Sequence, residues 1–358
     1  MLGLTQFQVA LMVDTNQSTI ARIEQSAIEP SPELVEQIAA RLGFDVQFFY
    51  QPPGPEFPYG SLLYRRRASL KAVDQARLHQ MAWAAFTLYE NMAKQLRRVP
   101  PLRLPNLFGE PPEVAAQLTR DALGCEPDSP IDRLLFKIEG CGVCVFAVPD
   151  NVEDYEAFML WADHRKPVVV VNTGKPGDRI RFTTAHEIGH AVMHHSLQGS
   201  TSNAEDEADR FASELLLPAD AMLQAIVPPV TLSSLADLKI QWGVSIQALR
   251  TRARDLGIIT EHQYKYLVIQ QSRLWGNKQE PDNLAIAPER PRALRKMAEE
   301  LYGNPINYQK LARQTHIPLL MVKRILQEHA SKDDLSRSWR KPSGGTVVSI
   351  DRKRSQVG

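Results

Sequence analysis

The stretch "RFTTAHEIGHAVMHH" occupies residues 181–195 and places four histidines and one glutamate between His186 and His195. On an α-helix, His186 and His190 lie one turn apart on the same face. Two imidazoles at this spacing can bind one tetrahedral metal ion, and Glu187 lies beside them, where it can act as a base. The alternative interpretation is a buried helix that is rich in histidine, because a motif this short has a real false-positive risk.

A third metal ligand decides between these interpretations. A pattern that supplies a third histidine after a glycine is excluded, because Met193 and Ser196 stand at the two positions that it needs. The following stretch, "SNAEDEADRFASELLLP", predicts a helix on which Glu205 and Asp209 lie one turn apart. We expect Glu205 to bind the metal and Asp209 to accept the N–H of a ligating histidine, which would fix its tautomer. The alternative is an acidic first turn that complements the helix dipole.

The other polar residues of these two stretches are not expected to be ligands. His194 lies one turn beyond His190 and is interpreted as a packing residue or a support for a ligand, and His195 as a surface residue. Glu207 points away from Glu205 and is the less favoured carboxylate. Gly189 inside the helix costs about 1 kcal/mol relative to alanine, which suggests a packing or access requirement.

The composition is that of a globular protein, with 43% hydrophobic and 23% charged residues in a chain of 358 residues, enough for two or three domains. There is no signal-peptide pattern and no apolar run of about 18 residues, so we expect no membrane span. Three cysteines suit a reducing cytoplasm. Cys141 and Cys144 form a C-x-x-C pair, but they lie in a predicted buried strand, and no second pair completes a zinc site.

The periodicity is mostly helical and is interrupted by short strands. "GVCVFAV", "AFMLW" and "PVVVVN" are β-branched or apolar runs bounded by turn residues, so each predicts a strand. Proline-rich breaks, such as "QPPGPEFPYG", predict linkers between the helical segments. The charge is segregated: residues 1–50 carry a net charge of −4 and residues 218–358 carry +9. The basic part could meet acidic protein or nucleic acid, or could pack around the catalytic cleft.

The histidine stretch, "AEDEADRFASELLLP" and "LKIQWGVSIQALRTRARDLGIIT" together resemble the ImmA/IrrE-type metallopeptidases, over roughly residues 110–275. The resemblance implies a gluzincin-like, zinc-dependent peptidase, with another divalent metal such as Mn²⁺ as the alternative cofactor. It also implies a protein substrate, and some members cleave Xre-type transcriptional repressors. Carried over to this chain, it makes His186, His190 and Glu205 the metal ligands and Glu187 the general base.

Three further points concern the same domain. Asp209 stands where the family often has asparagine. The supporting role of Asp209 is therefore expected from its spacing to Glu205 and is not carried over from the family. The strand "VVVVN" is expected at the edge of the sheet, where it would hold the substrate backbone in an extended form. The sequence does not identify the group that stabilises the oxyanion, for which His262 and Tyr264 are candidates.

The N-terminal stretch "LTQFQVALMVDTNQSTIARIEQ" resembles the Xre-type helix-turn-helix. "LTQFQVA" matches the first helix of the pair, and "NQSTIARIE" matches the recognition helix, with Asn16 as the expected N-cap. The resemblance places Gln6 against a DNA phosphate. It places Gln17, Ser18 and Arg22 against base edges in the major groove.

Three departures bear on DNA binding by this segment. Only three residues precede Leu4, so the usual leading helix is missing, and a turn position that is often glycine is Asp14. The segment is also acidic, whereas non-specific DNA affinity comes from neutralising phosphates. "YRRRASLK" (64–71) could supply positive charge or could begin the next long helix. The alternative interpretation is a module for dimerisation or for docking a partner.

The sequence therefore predicts an α+β, mostly helical protein: an N-terminal helix-turn-helix, a gluzincin-like metallopeptidase domain with a small sheet, and a C-terminal helical region. We expect a cytoplasmic zinc endopeptidase linked to transcriptional regulation, which cleaves a repressor and could form a homodimer. The alternatives are a DNA-binding regulator whose peptidase-like domain is a sensor, and a partner-binding protein of a toxin or phage-defence locus. The expected domains are 1–50 (helix-turn-helix), 51–110 (linker and long helix), 111–275 (metallopeptidase), 276–340 (C-terminal helices) and 341–358 (basic disordered tail).

Overall fold

The computed structural model describes residues 3–50, 72–98, 101–148, 155–163, 166–194, 203–276 and 280–331. Within these ranges the chain forms fifteen α-helices and three β-strands, which confirms the predicted α+β, mostly helical class. The helices are α1 (Gln6–Met12), α2 (Gln17–Glu24), α3 (Pro32–Leu42), α4 (Ala72–Leu96), α5 (Pro112–Ala122), α6 (Leu134–Gly140), α7 (Gly177–Met193), α8 (Ala204–Leu216), α9 (Ala219–Ala225), α10 (Leu232–Trp242), α11 (Ile246–Asp255), α12 (Glu261–Trp275), α13 (Ala293–Tyr302), α14 (Tyr308–Thr315) and α15 (Leu319–Gln327). The strands are β1 (Cys144–Ala147), β2 (Ala157–Ala162) and β3 (Lys166–Val171).

Several sequence predictions lie outside the described residues. They are the linker at 51–60, the basic stretch at 64–71, the surface position of His195 and the basic tail at 341–358. In the described part of the chain, no helix is both long enough and apolar enough to span a bilayer.

The chain divides into two compact units that are discontinuous in sequence. Unit 1 combines Met1–Arg103, Ile138–Thr173 and Arg290–Lys332. Unit 2 contains Leu104–Lys137 and Gly174–Glu289. The domains predicted from the sequence are instead consecutive stretches, and their boundaries stay a prediction.

The sheet of unit 1 has the order β1-β3-β2, so β3 is its central strand. β3 pairs with β1 in parallel and with β2 antiparallel, and Val168 is the partner of both Cys144 and Leu160. The prediction that "VVVVN" lies at the sheet edge is therefore wrong, and no edge of β3 is open to a substrate backbone. β3 is buried along almost its whole length, and a continuous β-branched run without polar alternation is typical of a strand covered on both faces; its two edges are paired because β1 and β2 lie on either side of it.

The core of unit 1 forms where helices cover this sheet. α4 contributes a face that includes Leu78, Phe86 and Met92, each fully buried. The same core contains Phe146 of β1, and α13, α14 and α15 pack into it with residues such as Val322. Because a small sheet must bury its apolar surface against helices, segments that are distant in sequence meet here.

The three N-terminal helices form a small bundle in unit 1. Ala10, Val13 and Ile20 are its buried centre, with partly buried side chains of α1 and α3 around them. Thr5 caps α1 in a reciprocal capping box with Gln8. Asn16 occupies the predicted N-cap position of α2, but its side chain makes no capping hydrogen bond there. The predicted helix-turn-helix is thus present, with one capping contact fewer than expected.

Unit 2 is built around the histidine helix. α7 packs against α8 and α5, and α5 also packs against α8. α10, α11 and α12 follow as a chain of packed neighbours. α10 ends at Gly243, which adopts a left-handed conformation with φ 67° and lets the chain turn sharply into α11.

Candidate metal centre

The histidine helix α7 is almost completely buried, which is unusual for a segment with this polarity. His186 and Glu187 are each 1% exposed, although a charged or polar side chain is rarely buried without partners. Apolar residues such as Ile188 surround them on the same helix. The burial means that these polar groups must be satisfied inside unit 2.

Three donor side chains converge at one point of unit 2. His186 and His190 bring their Nε2 atoms to 3.0 Å from one another. The carboxylate of Glu205 on α8 lies 3.5 Å from Nε2 of His186 and 3.2 Å from Nε2 of His190. One ligand atom from each of the three residues lies within 4.8 Å of the other two, a spacing that a single metal ion can bridge. Hydrogen bonds with the two imidazoles hold the pKa of Glu205 well below its usual range, so this carboxylate is ionised at neutral pH.

The ring of His186 is fixed from its other side. Its Nδ1 lies 2.6 Å from Oδ1 of Asp209, one helical turn beyond Glu205. With Nδ1–H donating to this carboxylate, the lone pair of Nε2 points towards His190 and Glu205. This is the arrangement in which a carboxylate orients a metal-ligating histidine and raises its basicity.

His190 is supported in turn by His194, whose role the sequence left open between packing and support. Nδ1 of His190 lies 2.9 Å from Nδ1 of His194, and Nε2 of His194 lies 2.8 Å from Glu207. Burial lowers the pKa of His194 in spite of its bond with Glu207, which favours the neutral imidazole. A proton on Nδ1 of His190 can then be donated to His194, while His194 donates from Nε2 to Glu207. Each of the two histidines therefore has its own orienting group.

The close packing of α7 against α8 depends on Gly189. A Cβ at this position would lie 2.9 Å from Cδ1 and 3.1 Å from Cγ of Phe211 on α8. Such distances are shorter than van der Waals contact, so a side chain here would force the two helices apart. The packing requirement suggested by the sequence is met by this contact.

Substitution Gly189→Ala is therefore expected to destabilise the protein, although alanine favours the helix by about 1 kcal/mol. The cost of inserting a methyl group into a packed contact is about 1–3 kcal/mol. We expect a lower unfolding temperature together with weaker zinc binding, because α8 carries Glu205. The matched control is Gly140→Ala on α6, where a Cβ meets nothing within 4 Å. A Gly189→Ala variant as stable as the wild type would refute the argument.

The first turn of α7 is held by buried charges that sequence reasoning did not identify. Nζ of Lys239 on α10 is paired with Asp178 and lies 2.9 Å from Oε2 of Glu280. Arg181 is paired with Glu289 and donates to the carbonyl oxygen of residue 131. The signal in the sequence was weak, because a single lysine in an amphipathic helix normally predicts an exposed side chain.

The candidate oxyanion group Tyr264 is engaged elsewhere in unit 2. Its ring is contacted by the guanidinium groups of Arg250 and Arg254, at 5.1 and 4.7 Å from the ring centroid. His262 lies near the start of the same helix, α12, and is exposed. Among the contacts of the described residues, none joins Tyr264 or His262 to the convergent histidines.

The candidate DNA contacts lie on α1 and α2. Gln17, Ser18 and Arg22 of α2 are all exposed, as a recognition helix requires. Gln6 is partly buried, and its Nε2 donates to Glu24 at 2.7 Å. The side chain predicted to meet a phosphate is thus already engaged within the bundle, next to a negative charge.

Comparisons with protein families match two parts of the chain. Residues 138–254 match peptidase family M78, described as the IrrE N-terminal-like domain, and this range includes the three convergent residues. Residues 1–49 match the helix-turn-helix family. A comparison with curated proteins finds no match. The chain thus combines an N-terminal helix-turn-helix with a metallopeptidase-like domain of the ImmA/IrrE type.

Proposed function

We propose that this protein is a zinc-dependent endopeptidase, linked to transcriptional regulation, that cleaves a repressor-type protein in the cytoplasm. The observation that carries the proposal is the convergence of His186, His190 and Glu205, with Glu187 next to them on α7. Two imidazoles and one carboxylate form the ligand set of zinc peptidases that leave a coordination position open for catalysis. The match to peptidase family M78 supports the same reaction class.

The donor set fits zinc better than a hard cation. Two nitrogens and one carboxylate oxygen suit Zn²⁺, whereas Mg²⁺ and Ca²⁺ prefer oxygen ligands only. Manganese remains the alternative in this proposal. The metal, when bound, polarises a carbonyl group and lowers the pKa of a water molecule to about 7.

The protein side chains have separate tasks in this reaction. Glu187 takes the proton of the attacking water and passes it to the leaving amine, which is general base and then general acid catalysis. Asp209 and His194 hold the two histidine rings in the required orientation through their hydrogen bonds. His186 and Glu187 are buried, whereas the side chain of Glu205 is 46% exposed, so the centre is shielded from water on the side of α7 and open to solvent on the side of α8.

The zinc affinity of variants distinguishes the metal ligands from the residues that only support them. We expect the wild-type chain to bind one zinc ion and Glu205→Gln to lose stoichiometric zinc, because an amide replaces an anionic ligand. Asp209→Ala should retain the site but weaken its affinity by about 10- to 100-fold. Competition with a chelator of known affinity measures both. The control is Asp206→Asn in the same turn of α8, an exposed residue outside the cluster. Equal zinc affinity of the wild type and all three variants would contradict the ligand assignment.

Cleavage of a protein substrate tests the proposed activity. The zinc-loaded full chain is incubated with purified candidate repressors of the Xre type, and the fragments are identified by mass spectrometry. We expect cleavage at a defined site that stops when a chelator removes the metal and resumes when zinc is restored. If no candidate is cleaved by a chain that binds one zinc ion, repressor cleavage is overturned while the metal site stands.

A second function is favoured by the exposed face of α2. Gln17, Ser18 and Arg22 are accessible, so the chain could be a DNA-binding regulator whose peptidase-like domain acts as a sensor. Regulation of a reporter gene in cells that carry the variants distinguishes the two functions. Regulation that survives Glu187→Gln and is lost in Arg22→Ala favours the sensor, and the reverse result favours the peptidase.

A further inference from the structure

The helix-turn-helix of the N-terminus recurs near the other end of unit 1. α14 and α15 follow one another across a short turn, as α1 and α2 do, and their apolar positions match at a constant sequence offset. Both first helices carry an alanine at the same position, Ala10 and Ala312. The apolar residues that correspond are Val9 with Leu311, Ile20 with Val322 and Ile23 with Ile325, and a fourth position pairs Val13 with Thr315.

The turns agree as well. Asp14 and His316 occupy the corresponding position between the two helices, and they adopt φ angles of 47° and 54°. Only a few per cent of non-glycine residues adopt a positive φ. A positive φ at the same position between the two helices therefore indicates that both motifs contain the same turn. Of the residues after it, Ile317 is buried and Thr15 is half-buried.

The exposed faces of the two second helices also correspond. On α2 the exposed residues include Ser18 and Arg22. The same positions on α15 are occupied by Leu320, which is 65% exposed, and by the half-buried Arg324. Lys323 beside it is exposed. A helix that presents these positions can place them against base edges in the major groove, where an apolar side chain can meet a thymine methyl group.

Helix-turn-helix geometry alone does not make a DNA-binding site, as α10 and α11 of unit 2 illustrate. They are joined through Gly243 at the corresponding turn position. At the position of Lys323, α11 carries Arg250, which is buried, whereas Gln247 and Thr251, at the positions of Leu320 and Arg324, are exposed and half-buried and carry no charge. Lys239 and Arg252 are buried as well and pair with carboxylates of unit 2. The exposed positive charge of Lys323, where α11 has a buried arginine, therefore separates α15 from α11.

The charge of the second motif suits a polyanion. Residues 307–328 contain four basic side chains and one acidic side chain, whereas the corresponding residues 5–26 contain one basic and two acidic side chains. The four basic residues are Lys310 and Arg313 on α14 and Lys323 and Arg324 on α15. Because neutralised phosphates supply most of the non-specific affinity for DNA, the C-terminal motif carries the electrostatic contribution that the N-terminal one lacks.

We infer that residues 307–328 form a second DNA-binding helix-turn-helix, which places α15 in the major groove of duplex DNA through Leu320, Lys323 and Arg324. This inference is independent of the proposed peptidase activity. It assigns two DNA-reading helices, α2 and α15, to one compact unit. The acidic N-terminal motif then contributes mainly side-chain readout, and the basic C-terminal motif contributes most of the phosphate neutralisation.

The test is the salt dependence of DNA binding by the full chain. Fluorescence anisotropy with a labelled random-sequence duplex of roughly 30 base pairs, at about 50–200 mM salt, gives the affinity and its slope against salt. We expect Lys323→Ala/Arg324→Ala to lower the affinity about 10-fold or more and to reduce the slope by about 1–2. The matched control is Lys265→Ala/Arg273→Ala on α12, which removes the same charge from an exposed face of unit 2.

Three outcomes of this experiment would overturn the inference. A wild-type chain that does not bind the duplex at the lowest salt overturns it, as does a loss of affinity in Arg22→Ala that the α15 variant does not share. An equal effect of the α12 control indicates a general charge effect and overturns it too. Thermal unfolding checks that the α15 variant is folded, and the single substitution Lys323→Gln at an exposed position replaces it if it is not.

Discussion

Substitution Glu187→Gln is expected to reduce proteolysis by about 100- to 10,000-fold, the usual contribution of a positioned general acid–base group. The amide has nearly the same shape as the carboxylate but cannot take up the proton of the attacking water. Zinc content should stay at one ion per chain, because the convergent donor atoms belong to His186, His190 and Glu205. Initial rates of fragment release, measured beside metal content, give both quantities.

The control for this prediction has to exclude a folding defect. Glu187 is 1% exposed, so the variant is compared with the wild type by thermal unfolding before its activity is interpreted. Asp206→Asn makes the same carboxylate-to-amide change at an exposed position of α8 and should leave the rate unchanged. A folded, zinc-loaded Glu187→Gln protein that cleaves at the wild-type rate would show that another group is the base.

Substitution Lys239→Met is expected to destabilise the protein by about 3–5 kcal/mol, the cost of leaving buried charges without their counter-ion. Nζ of Lys239 is in contact with both Asp178 and Glu280, and the lysine is 1% exposed. Methionine fills a similar volume, so the effect arises mainly from the two carboxylates that lose their partner. Urea unfolding, monitored by tryptophan fluorescence, measures the change in the free energy of unfolding.

A matched surface substitution and a compensating variant complete this experiment. Lys265→Met removes an exposed lysine whose ion pair with Glu261 is long, at 3.9 Å, and should change stability by less than about 0.5 kcal/mol. Neutralising all three buried groups, as Asp178→Asn/Lys239→Met/Glu280→Gln, should recover part of the loss. Identical unfolding midpoints for Lys239→Met and the wild type would mean that this cluster does not stabilise α7.

Local patterns in the sequence predicted the site residues and most of the secondary structure. The i, i+4 spacing on two helices selected His186, His190, Glu205 and Asp209, and the structure brings all four side chains together. Their role as a metal site stays a prediction. Spacing was informative here because helix geometry is local and converts a sequence interval directly into a common face.

The order of the strands in the sheet could not be predicted from local patterns. Three apolar runs predicted three strands, and all three are present, but the prediction of an edge position for "VVVVN" was wrong. Strand order depends on which segments pair, and pairing is decided by long-range burial that no single run encodes. The continuous valines were compatible with a central position, and the resemblance outweighed that local signal.

The sequence by itself determined the helix that carries His186 and His190, the carboxylates one turn apart on the next helix, and the helix-turn-helix at the N-terminus. Tertiary structure alone decided that β3 is central, that Lys239 holds the first turn of α7, and that His194 connects His190 with Glu207. It also decided which basic residues are buried in ion pairs and which face outwards on α15. The reason is physical: helical periodicity is a property of neighbouring residues, whereas burial and charge pairing depend on residues that meet only after the chain has folded.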